Sequence, residues 1–431
     1  MDDVKIASWS NVLPTKTRVV TCNNDFLKHL GEIDRPFIPR GSGRSYGDAA
    51  YITNGVTLCS EGLRKILKFD EQRGTITCES GVQMVDLFNY LDPSEWSLAV
   101  AGGTQWVTIG GAVASDIHGK NDVIQGSFGN HIESMQVVTA DGRQLDCSKT
   151  VNPELYAATI GGMGLTGFIK SVELRLQRPL SKVVQMRTKP FSDVKEMLEC
   201  FYNIESDMQV AWIDLTNPVP RGIYYYASYV QGYADDLSKP IEMKFPTVRL
   251  FNRVSVRLLN AIRYAFQKDI NKTTHIRNFH YPVDMLKHWN RLYGPRGFQE
   301  YQFAVPAQNM QTAYTEFIRG CRRFSLTPLF AVVKRFGNIA REGLLSFPKP
   351  GITFMADFDS RPKNQEFFAY FTDFLLELKG RIYLAKDSYM TKDQFERMDE
   401  NIGQWREIVR RYDPDNRIKS DLSIRLNMKP W

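Results

Sequence analysis

Residues 102–131, GGTQWVTIGGAVASDIHGKNDVIQGSFGNH, combine a glycine-rich backbone with polar side chains that could do chemistry. Gly110 and Gly111 would give a short helix a face almost without side chains, which lets a ligand approach the backbone closely. His118 and Lys120 follow at once and supply polar groups beside that bare surface. We interpret the segment as one wall of a site for a large flat ligand. An ordinary glycine-rich surface loop is the alternative.

A second glycine cluster lies at residues 40–48, RGSGRSYGD. Consecutive backbone N–H groups in such turns form a concave anion site that suits a pyrophosphate. The segment is no Walker loop, because no Gly-Lys-Ser/Thr follows it. A tight turn would explain this cluster equally well if it stood alone. Together with residues 102–131, it favours a pyrophosphate-containing cofactor held in an extended pose.

A third pattern, GMGLTG at residues 162–167, matches the G-x-G-x-x-G fingerprint of dinucleotide-binding folds. That fingerprint requires a strand before it and a helix after it. Here the sequence predicts a helix before it and a strand after it, which argues against a Rossmann site at this position. We interpret these glycines as letting the backbone wrap around a ligand bound by residues 102–131.

Residues 381–388, RIYLAKDS, read as a strand that delivers Lys386 into a polar turn. A lysine at a strand end is usually a solvated surface group, and composition alone indicates no more than that.

The elements that would position these residues alternate between short strands and helices over the first 180 residues. Strands are predicted at 65–70, 75–79 and 168–177, with a hairpin of 134–139 and 144–147 around Asp141-Gly142. Helices are predicted at 25–30 with Asn24 as its cap, at 83–91, and at 153–160. From about Leu180 the chain is richer in aromatics. Strands are predicted there at 211–215, 224–230, 301–305, 329–336 and 352–358, and a helix at 364–378.

Residues 244–278 mix basic and apolar side chains, with Asp269 as the single opposing charge. A basic amphipathic stretch suits a membrane surface with anionic lipid. A flexible loop, or a helix whose basic face is merely solvated, remains open.

Composition limits the class of protein. The 431 residues suffice for two or three domains, 43% are hydrophobic, and the net charge of +7 is mild for this length. The six cysteines include no C-x-x-C pair, which favours a reducing compartment without disulfides or a structural metal. The N-terminus, MDDVKIASWS, lacks the apolar region of a signal peptide, and no apolar run is long enough to span a membrane. We therefore predict a cytoplasmic protein, peripheral on the inner membrane if residues 244–278 bind lipid.

Several of these motifs resemble a known family. Residues 39–48 look like the pyrophosphate loop of the vanillyl-alcohol-oxidase/p-cresol-methylhydroxylase (PCMH) flavoproteins. More specific segments resemble the decaprenylphosphoryl-β-D-ribose 2′-oxidase branch across essentially the whole chain. These are GGAVASDIHGKN, GSFGNH, YPVDMLKHWNRLYGPRGFQEYQF, RIYLAKDS and SDLSIRL.

The resemblance implies an α+β fold, with a two-subdomain PCMH-type FAD-binding domain and an inserted α+β substrate domain built on an antiparallel sheet. The FAD domain would comprise residues 1–180 and 381–431, and the substrate domain residues 181–380. The implied cofactor-binding residues are Arg40, Gly41, Ser42, Gly43, Arg44, Ser45, Gly103, Thr104, Thr108, Gly110, Gly111, Ser115, Ile117, His118, Gly119, Asn121, Gly164, Ile169, Tyr383 and Ala385. The implied catalytic residues are Lys386, His118, Tyr46 and Lys334, and the implied substrate-binding residues are Lys120, Gln302, Lys334, Trp212 and Met355.

The implied reaction is oxidation of the 2′-hydroxyl of a polyprenyl-phosphoryl-β-D-ribose to the 2′-keto sugar. This is the first half of an epimerisation to the arabinose lipid that a partner short-chain NAD(P)H reductase would complete. Lys386 would stabilise the negative charge of the reduced flavin. His118, Lys334 or Tyr46 could each accept the hydroxyl proton, and the sequence does not choose among them.

Three departures from the family pattern involve four residues. Arg44 stands where many superfamily members carry the histidine that attaches FAD covalently, so we predict non-covalent FAD. Asp122 and Val123 replace two histidines, and Met355 replaces a cysteine found in some members.

Two other functions stay open from the sequence. One is a sugar-alcohol or aldonolactone oxidase of the same superfamily acting on a soluble substrate. The other is a basic membrane- or nucleic-acid-binding protein that has lost catalysis. We favour the polyprenyl-phosphoryl-ribose oxidase over both alternatives, and we predict that it binds no metal and no nucleic acid.

Overall fold

Short strands build two sheets from the first part of the chain in the computed structural model, which describes residues 3–217, 219, 221–232, 237–242 and 247–431. The first sheet has the order β1-β2-β4-β3, in which β4 pairs in parallel with both β2 and β3. Its strands are β1 (Val4–Ile6), β2 (Thr15–Thr21), β3 (Phe37–Arg40) and β4 (Val56–Cys59).

The second sheet is antiparallel and has the order β5-β6-β10-β8-β9, with β7 pairing β10. Its strands are β5 (Ile66–Asp70), β6 (Thr75–Glu79), β7 (Ser97–Leu98), β8 (Ile132–Val138), β9 (Gln144–Ser148) and β10 (Phe168–Gln177). The helices of this region are α1 (Met84–Leu91), α2 (Ile109–Ala114), α3 (Asp122–Gln125) and α4 (Pro153–Thr159). A capping box between Gln83 and Asp86 begins α1, and the apolar face of α1 is buried.

The third sheet is antiparallel and has eight strands in the order β15-β11-β13-β12-β18-β19-β17-β20. The strands of this part of the chain are β11 (Val183–Phe191), β12 (Met208–Asp214), β13 (Arg221–Tyr229), β14 (Ile241–Glu242), β15 (Asn271–His275), β16 (Leu286–Lys287), β17 (Phe298–Val305), β18 (Phe330–Phe336), β19 (Gly351–Asp359) and β20 (Arg381–Ile382). Strands β14 and β16 form a separate parallel pair. The accompanying helices are α5 (Val194–Asn203), α6 (Arg253–Gln267), α7 (Ile276–His280), α8 (Met310–Arg323) and α9 (Asn364–Glu377). The prediction of an α+β fold with an antiparallel sheet in the second part of the chain is confirmed. The domain boundaries at 180 and 380 stay a prediction.

The C-terminal segment returns to the first sheet through α10 (Lys392–Met398), α11 (Ile402–Tyr412) and α12 (Asp421–Arg425). The Phe37 N–H donates to the carbonyl of Arg417 and the Lys419 N–H donates to the carbonyl of Phe37, both at 2.9 Å. The Arg425 guanidinium then donates to the carboxylates of Asp48 and Asp387 at 2.9 Å. These ion pairs hold the C-terminal end of the chain beside the first glycine loop.

Two local predictions were wrong in detail. The helix after Asn24 is a 3-10 helix at Phe26–Glu32 whose N-cap position is Asp25, and the Asn23 side chain accepts from the Phe26 N–H at 2.8 Å. The Asn24 amide instead donates to Glu79 at 2.8 Å. The strand predicted to reach Lys386 ends at Ile382, because the Lys386 N–H donates back to the Tyr383 carbonyl at 2.9 Å and closes a turn.

The basic stretch at 244–278 is not one amphipathic element. It contains α6, β15 and most of α7, and residues 243–246 lie outside the described part of the chain. Within the described ranges, no helix has the length and apolar character needed to cross a membrane.

Candidate active site

A cavity of about 840 Å³ runs from the first glycine loop, past α2, to the face of the eight-stranded sheet. Its far end lies beneath α6, where Val256, Asn260 and Arg263 form part of the wall. The cavity therefore joins the two glycine clusters to the polar residues of the third sheet. Cavities of this size are typical of cofactor and small-molecule sites.

The first glycine loop packs directly against the start of α2. A Cβ on Gly41 would lie 2.1 Å from the Thr108 hydroxyl, so only glycine permits this approach. Gly43 adopts φ +63°, a left-handed conformation that glycine favours. The Gln83 amide also donates to the Ser42 hydroxyl at 2.8 Å, which joins the loop to α1. The two glycine clusters thus form one continuous wall.

Helix α2 presents the bare surface that its sequence predicts. Thr108 caps the helix by accepting from the Gly111 N–H at 3.2 Å, and Gly110 and Gly111 both line the cavity. Gly103 precedes the helix, and a Cβ placed on it would meet no atom within 4 Å. This side of the cavity is open backbone.

The residues present fit FAD. The glycine wall leaves room along the backbone, and the Ser60 and Ser80 hydroxyls line the cavity without a hydrogen-bond partner among the described residues. The guanidinium of Arg44, stacked on Trp9 at 4.0 Å, adds positive charge to the same wall. Buried polar groups without partners indicate a polar ligand that satisfies them.

Lys386 enters the cavity from the C-terminal part of the chain. The Tyr46 N–H donates to the carbonyl of Ala385 at 2.9 Å, which places Lys386 beside the first glycine loop. Its ammonium lies 3.1 Å from the centre of the Tyr46 ring and 3.0 Å from Glu300 Oε1. Burial holds the pKa of Lys386 below its ordinary value, and the Glu300 carboxylate opposes that effect.

His118 is buried among aromatic rings, with Phe336 at 5.0 Å and Tyr383 at 5.2 Å between centroids. The Gln302 amide nitrogen lies 3.1 Å from His118 Nε2 and 3.2 Å from the Thr353 hydroxyl. With the amide assigned this way, Nε2 accepts, so Nδ1 carries the proton. Burial, together with the charges of Lys334 and Lys386, holds the pKa of His118 well below its ordinary value. His118 is therefore neutral and presents a donor.

Two further lysines have pKa values near neutrality. Burial lowers the pKa of Lys334 to about 8 and that of Lys120 to about 7. The Lys120 ammonium donates to the carbonyl of Phe279 and lies 4.7 Å from the centre of its ring. A lysine with a lowered pKa can accept a proton at physiological pH.

Most of the predicted site residues line this one cavity. They are Arg40, Gly41, Ser42, Gly43, Arg44, Ser45, Tyr46, Gly103, Thr104, Thr108, Gly110, Gly111, Ser115, Ile117, His118, Lys120, Gly164, Ile169, Trp212, Gln302, Lys334, Met355, Tyr383, Ala385 and Lys386. Gly119 and Asn121 are not brought to the cavity wall. The Asn121 amide instead donates to the carbonyl of Ala99 at 2.7 Å, and a Cβ on Gly119 would lie 2.7 Å from the carbonyl of Ala101. Both hold the chain after α2 in place.

Sequence reasoning missed the acidic residues of the cavity, Glu300, Asp357 and Asp284. A signal was present for two of them. Glu300 stands two residues before Gln302 on β17, and Asp357 stands two residues after Met355 on β19. Residues i and i+2 of a strand share a face, so a site assigned to Gln302 and Met355 includes their acidic neighbours.

Comparisons with known proteins support the interpretation of this cavity as an FAD site. Residues 24–148 match the family described as FAD binding domain. The protein is an FAD-dependent oxidoreductase whose FAD-binding domain is of the PCMH type.

Three relatives illustrate the similarity. Decaprenylphosphoryl-beta-D-ribose oxidase of Mycolicibacterium smegmatis is 29% identical over 98% of this chain and 97% of its own length. An uncharacterised Streptomyces coelicolor protein is 25% identical over 78% of this chain and 97% of its own length. L-gulonolactone oxidase of Scyliorhinus torazame is 28% identical over 47% of this chain and 43% of its own length. The similarity to the mycobacterial oxidase covers nearly the whole chain and, with the FAD-binding match, supports the decaprenylphosphoryl-β-D-ribose oxidase family of FAD-linked oxidases.

Proposed function

We propose that the protein oxidises the 2′-hydroxyl of a polyprenyl-phosphoryl-β-D-ribose to the 2′-keto sugar. The observation that carries the proposal is the continuity of the cavity. Its glycine wall fits FAD, its middle holds Lys386, Lys334 and His118, and its far end runs beneath α6. A sugar in the middle section could then extend a lipid tail toward α6. The near full-length similarity to the mycobacterial oxidase supports this substrate class.

When bound, FAD supplies the acceptor for the hydride that leaves C2′. Lys334 fits the role of base for the hydroxyl proton, because its pKa of about 8 leaves part of the population neutral at physiological pH. His118, held by Gln302, donates from Nδ1 and orients a sugar oxygen. Lys386 holds positive charge beside the glycine wall. The aromatic rings around His118 exclude water.

The proposal is tested by mixing the yellow holoprotein anaerobically with polyprenyl-phosphoryl-β-D-ribose and following flavin bleaching. We expect bleaching and a product lighter by two hydrogen atoms. The matched lipid carrying 2-deoxyribose lacks the reacting hydroxyl and should cause none. Bleaching by free pentitols or aldonolactones, with none by the lipid, would instead show the soluble-substrate oxidase.

The role of Lys334 has its own test. Lys334→Met should slow bleaching by about 10²–10⁴-fold, the usual contribution of a positioned base. It should also remove the step in the pH profile near the pKa of Lys334. Bleaching at the wild-type rate with an unchanged profile would exclude Lys334 as the base.

We also propose that α6 docks the protein on anionic membrane. Its outer side carries a row of apolar side chains that, with Leu250 just before the helix, are 47–81% exposed at intervals of four residues. They are Leu250, Val254, Leu258, Ile262 and Phe266. Residues four apart share a helix face, so the row is continuous. Exposed Arg253, Arg257 and Lys268 flank it with positive charge. A helix of this kind lies in the lipid interface.

Docking is tested with Val254→Ser/Phe266→Ser, because these two side chains are 79% and 81% exposed. Full burial of such a side chain is worth about 1.5–3 kcal/mol, so half-depth insertion of two predicts a loss of about 1.5–3 kcal/mol. That is roughly 10- to 150-fold weaker binding to phosphatidylglycerol vesicles in co-sedimentation. FAD content should not change. The control Leu67→Ser/Ile424→Ser removes exposed apolar groups elsewhere, and an equal loss there would refute a specific role for α6.

The partner reductase is likewise proposed. Adding a short-chain NAD(P)H reductase that acts on 2′-keto sugars should convert the ribose lipid to the arabinose lipid only in the presence of this protein. The arabinose lipid would then enter the synthesis of a cell-envelope polysaccharide.

A further inference from the structure

Two buried acidic residues lie side by side at the cavity end of the third sheet. Glu300 on β17 and Asp357 on β19 are directly opposite each other in the antiparallel ladder. They are 3% and 1% exposed, and both line the cavity. Like charges directly opposite on neighbouring strands destabilise a sheet, and more so when buried. The pair therefore requires compensation.

One cation and one hydroxyl provide part of that compensation. The Lys386 ammonium is 3.0 Å from Glu300 Oε1, and the Tyr293 hydroxyl donates to Asp357 Oδ2 at 3.0 Å. These two contacts do not satisfy all four carboxyl oxygens of Glu300 and Asp357. Glu300 Oε1 and Asp357 Oδ1 have no properly angled hydrogen-bond donor among the residues that the structure describes. Two ionised carboxylates and one ammonium would also leave a net charge of −1 in a buried cluster.

A single additional proton would both supply a donor for the two unsatisfied oxygens and remove the net charge of −1. Placed between the carboxyl groups, it gives each of the two oxygens a partner and makes the cluster with Lys386 neutral. We propose that Glu300 and Asp357 share one proton and act as a positioning pair that keeps the Lys386 ammonium charged beside the cofactor wall. The Glu300 and Asp357 carboxyl groups lie within side-chain hydrogen-bond contact, and two carboxyl groups in such contact ionise as a pair rather than separately.

The surrounding charges agree with this assignment. Burial and the neighbouring Glu300 charge raise the pKa of Asp357 well above its ordinary value. The other titratable groups that face the cluster are Lys334 from β18, Tyr46 from the first glycine loop, Tyr293 before β17, Tyr383 after β20, and His118, which lies near Lys386. Arg44 and Asp284 act on Tyr46. Burial and the nearby carboxylates raise the pKa of Tyr46 and Tyr293 well above their ordinary values, so both tyrosines stay neutral.

The consequence is a pH-dependent charge next to FAD. At neutral pH the cluster of Glu300, Asp357 and Lys386 is neutral, and at alkaline pH it loses the shared proton and becomes negative. Lys334, whose pKa is about 8, loses its own proton in the wild type and in the variants alike, so the difference between them reports the shared proton. A negative charge beside the cofactor disfavours its reduction. In Glu300→Gln or Asp357→Asn, one carboxylate remains to pair with Lys386, so the cluster is neutral without any proton to lose.

The test measures the ratio of reduced to oxidised flavin against a reference dye across pH, with each holoprotein. At neutral pH the wild type, Glu300→Gln and Asp357→Asn should agree within about threefold. At alkaline pH the wild-type ratio should fall about tenfold below both variants, which corresponds to about 30 mV for two electrons. The infrared C=O band of a protonated carboxyl should disappear from both variants at neutral pH. Glu316→Gln, which changes a buried carboxyl on α8 outside the cavity, serves as the control.

A different result would overturn the proposal. If both carboxyls were ionised at neutral pH, each variant would raise the ratio there, and neither would change the infrared band. If the variants fail to hold FAD, Tyr293→Phe keeps both carboxyls and removes a hydrogen bond that favours the ionised form, so the wild-type transition should move to higher pH. An unmoved transition would exclude the pair as its origin. No sugar lipid is used, so the outcome is independent of the proposed substrate.

Discussion

Replacing Gly103 with alanine separates the fit of the cofactor from the stability of the protein. A Cβ at Gly103 meets no atom within 4 Å, and its backbone is not in the left-handed region. The chain itself therefore has no steric reason to reject alanine. By restricting the unfolded chain, the substitution should stabilise the apoprotein by about 0.4–1 kcal/mol.

The affinity for FAD should change in the opposite direction, because Gly103→Ala is expected to weaken FAD binding. Gly103 lines the cavity before α2, where the cofactor is expected to pass close to the backbone. Forcing one extra methyl group into a well-packed contact costs about 1–3 kcal/mol. At 1.4 kcal/mol for each tenfold change, FAD should bind roughly 5- to 150-fold more weakly.

Fluorescence titration of the apoprotein with FAD measures the affinity, and urea unfolding of the same preparation measures the stability. Gly403→Ala is the matched control, since its Cβ would also meet nothing within 4 Å but Gly403 lies in the first turn of α11, away from the cavity. It should leave FAD affinity unchanged. The cofactor placement would be refuted if Gly103→Ala proved folded and stabilised yet bound FAD within twofold of the wild type.

Three further outcomes are expected. Arg425→Ala leaves the buried carboxylates of Asp48 and Asp387 uncompensated and should lower the free energy of unfolding by about 3–5 kcal/mol, measured by urea denaturation. Burial raises the pKa of Asp284 from 3.8 to about 6, so its contribution to stability is complete below pH 3.8 and is lost as the pH rises through 6. Asp284→Asn should therefore gain about 2–3 kcal/mol relative to the wild type between pH 4.5 and 7.5, and parallel pH curves would contradict this. The family resemblance places Arg44 where other members carry the attaching histidine, so acid precipitation is expected to release all FAD into the supernatant, and a yellow pellet would disprove non-covalent binding.

The elements that sequence patterns predicted well are those with local causes. The β10 strand was predicted with the bounds that the structure gives, Phe168–Gln177, because alternation and the following Pro179 both mark it. Helix α1 was also predicted correctly, because its apolar residues recur at helical spacing. The strand toward Lys386 was overestimated, because its end depends on a turn closed by the Tyr383 carbonyl, and the residue types RIYLAK do not reveal that turn.

The predicted site likewise divides into residues with a local sequence signal and residues that only distant contacts bring together. The glycine wall could be read from composition, since few other uses explain so many glycines near α2. Glu300 and Asp357 could not be paired from sequence, because they are far apart in the chain and only the register of β17 with β19 brings them together. Their importance follows from partners that no local pattern shows.

The same nonlocal logic explains why Lys386 depends on both ends of the chain. Its position beside Tyr46 is fixed by the hydrogen bond from the Tyr46 N–H to Ala385 and by Arg425, which joins Asp387 to Asp48. On its other side, Glu300 holds the ammonium from the third sheet. A lysine on a surface turn would keep its ordinary pKa and rotamer freedom. Here the first glycine loop, α12 and the third sheet together fix one ammonium in a buried cavity, so a change in any of the three should alter the charge beside the cofactor wall.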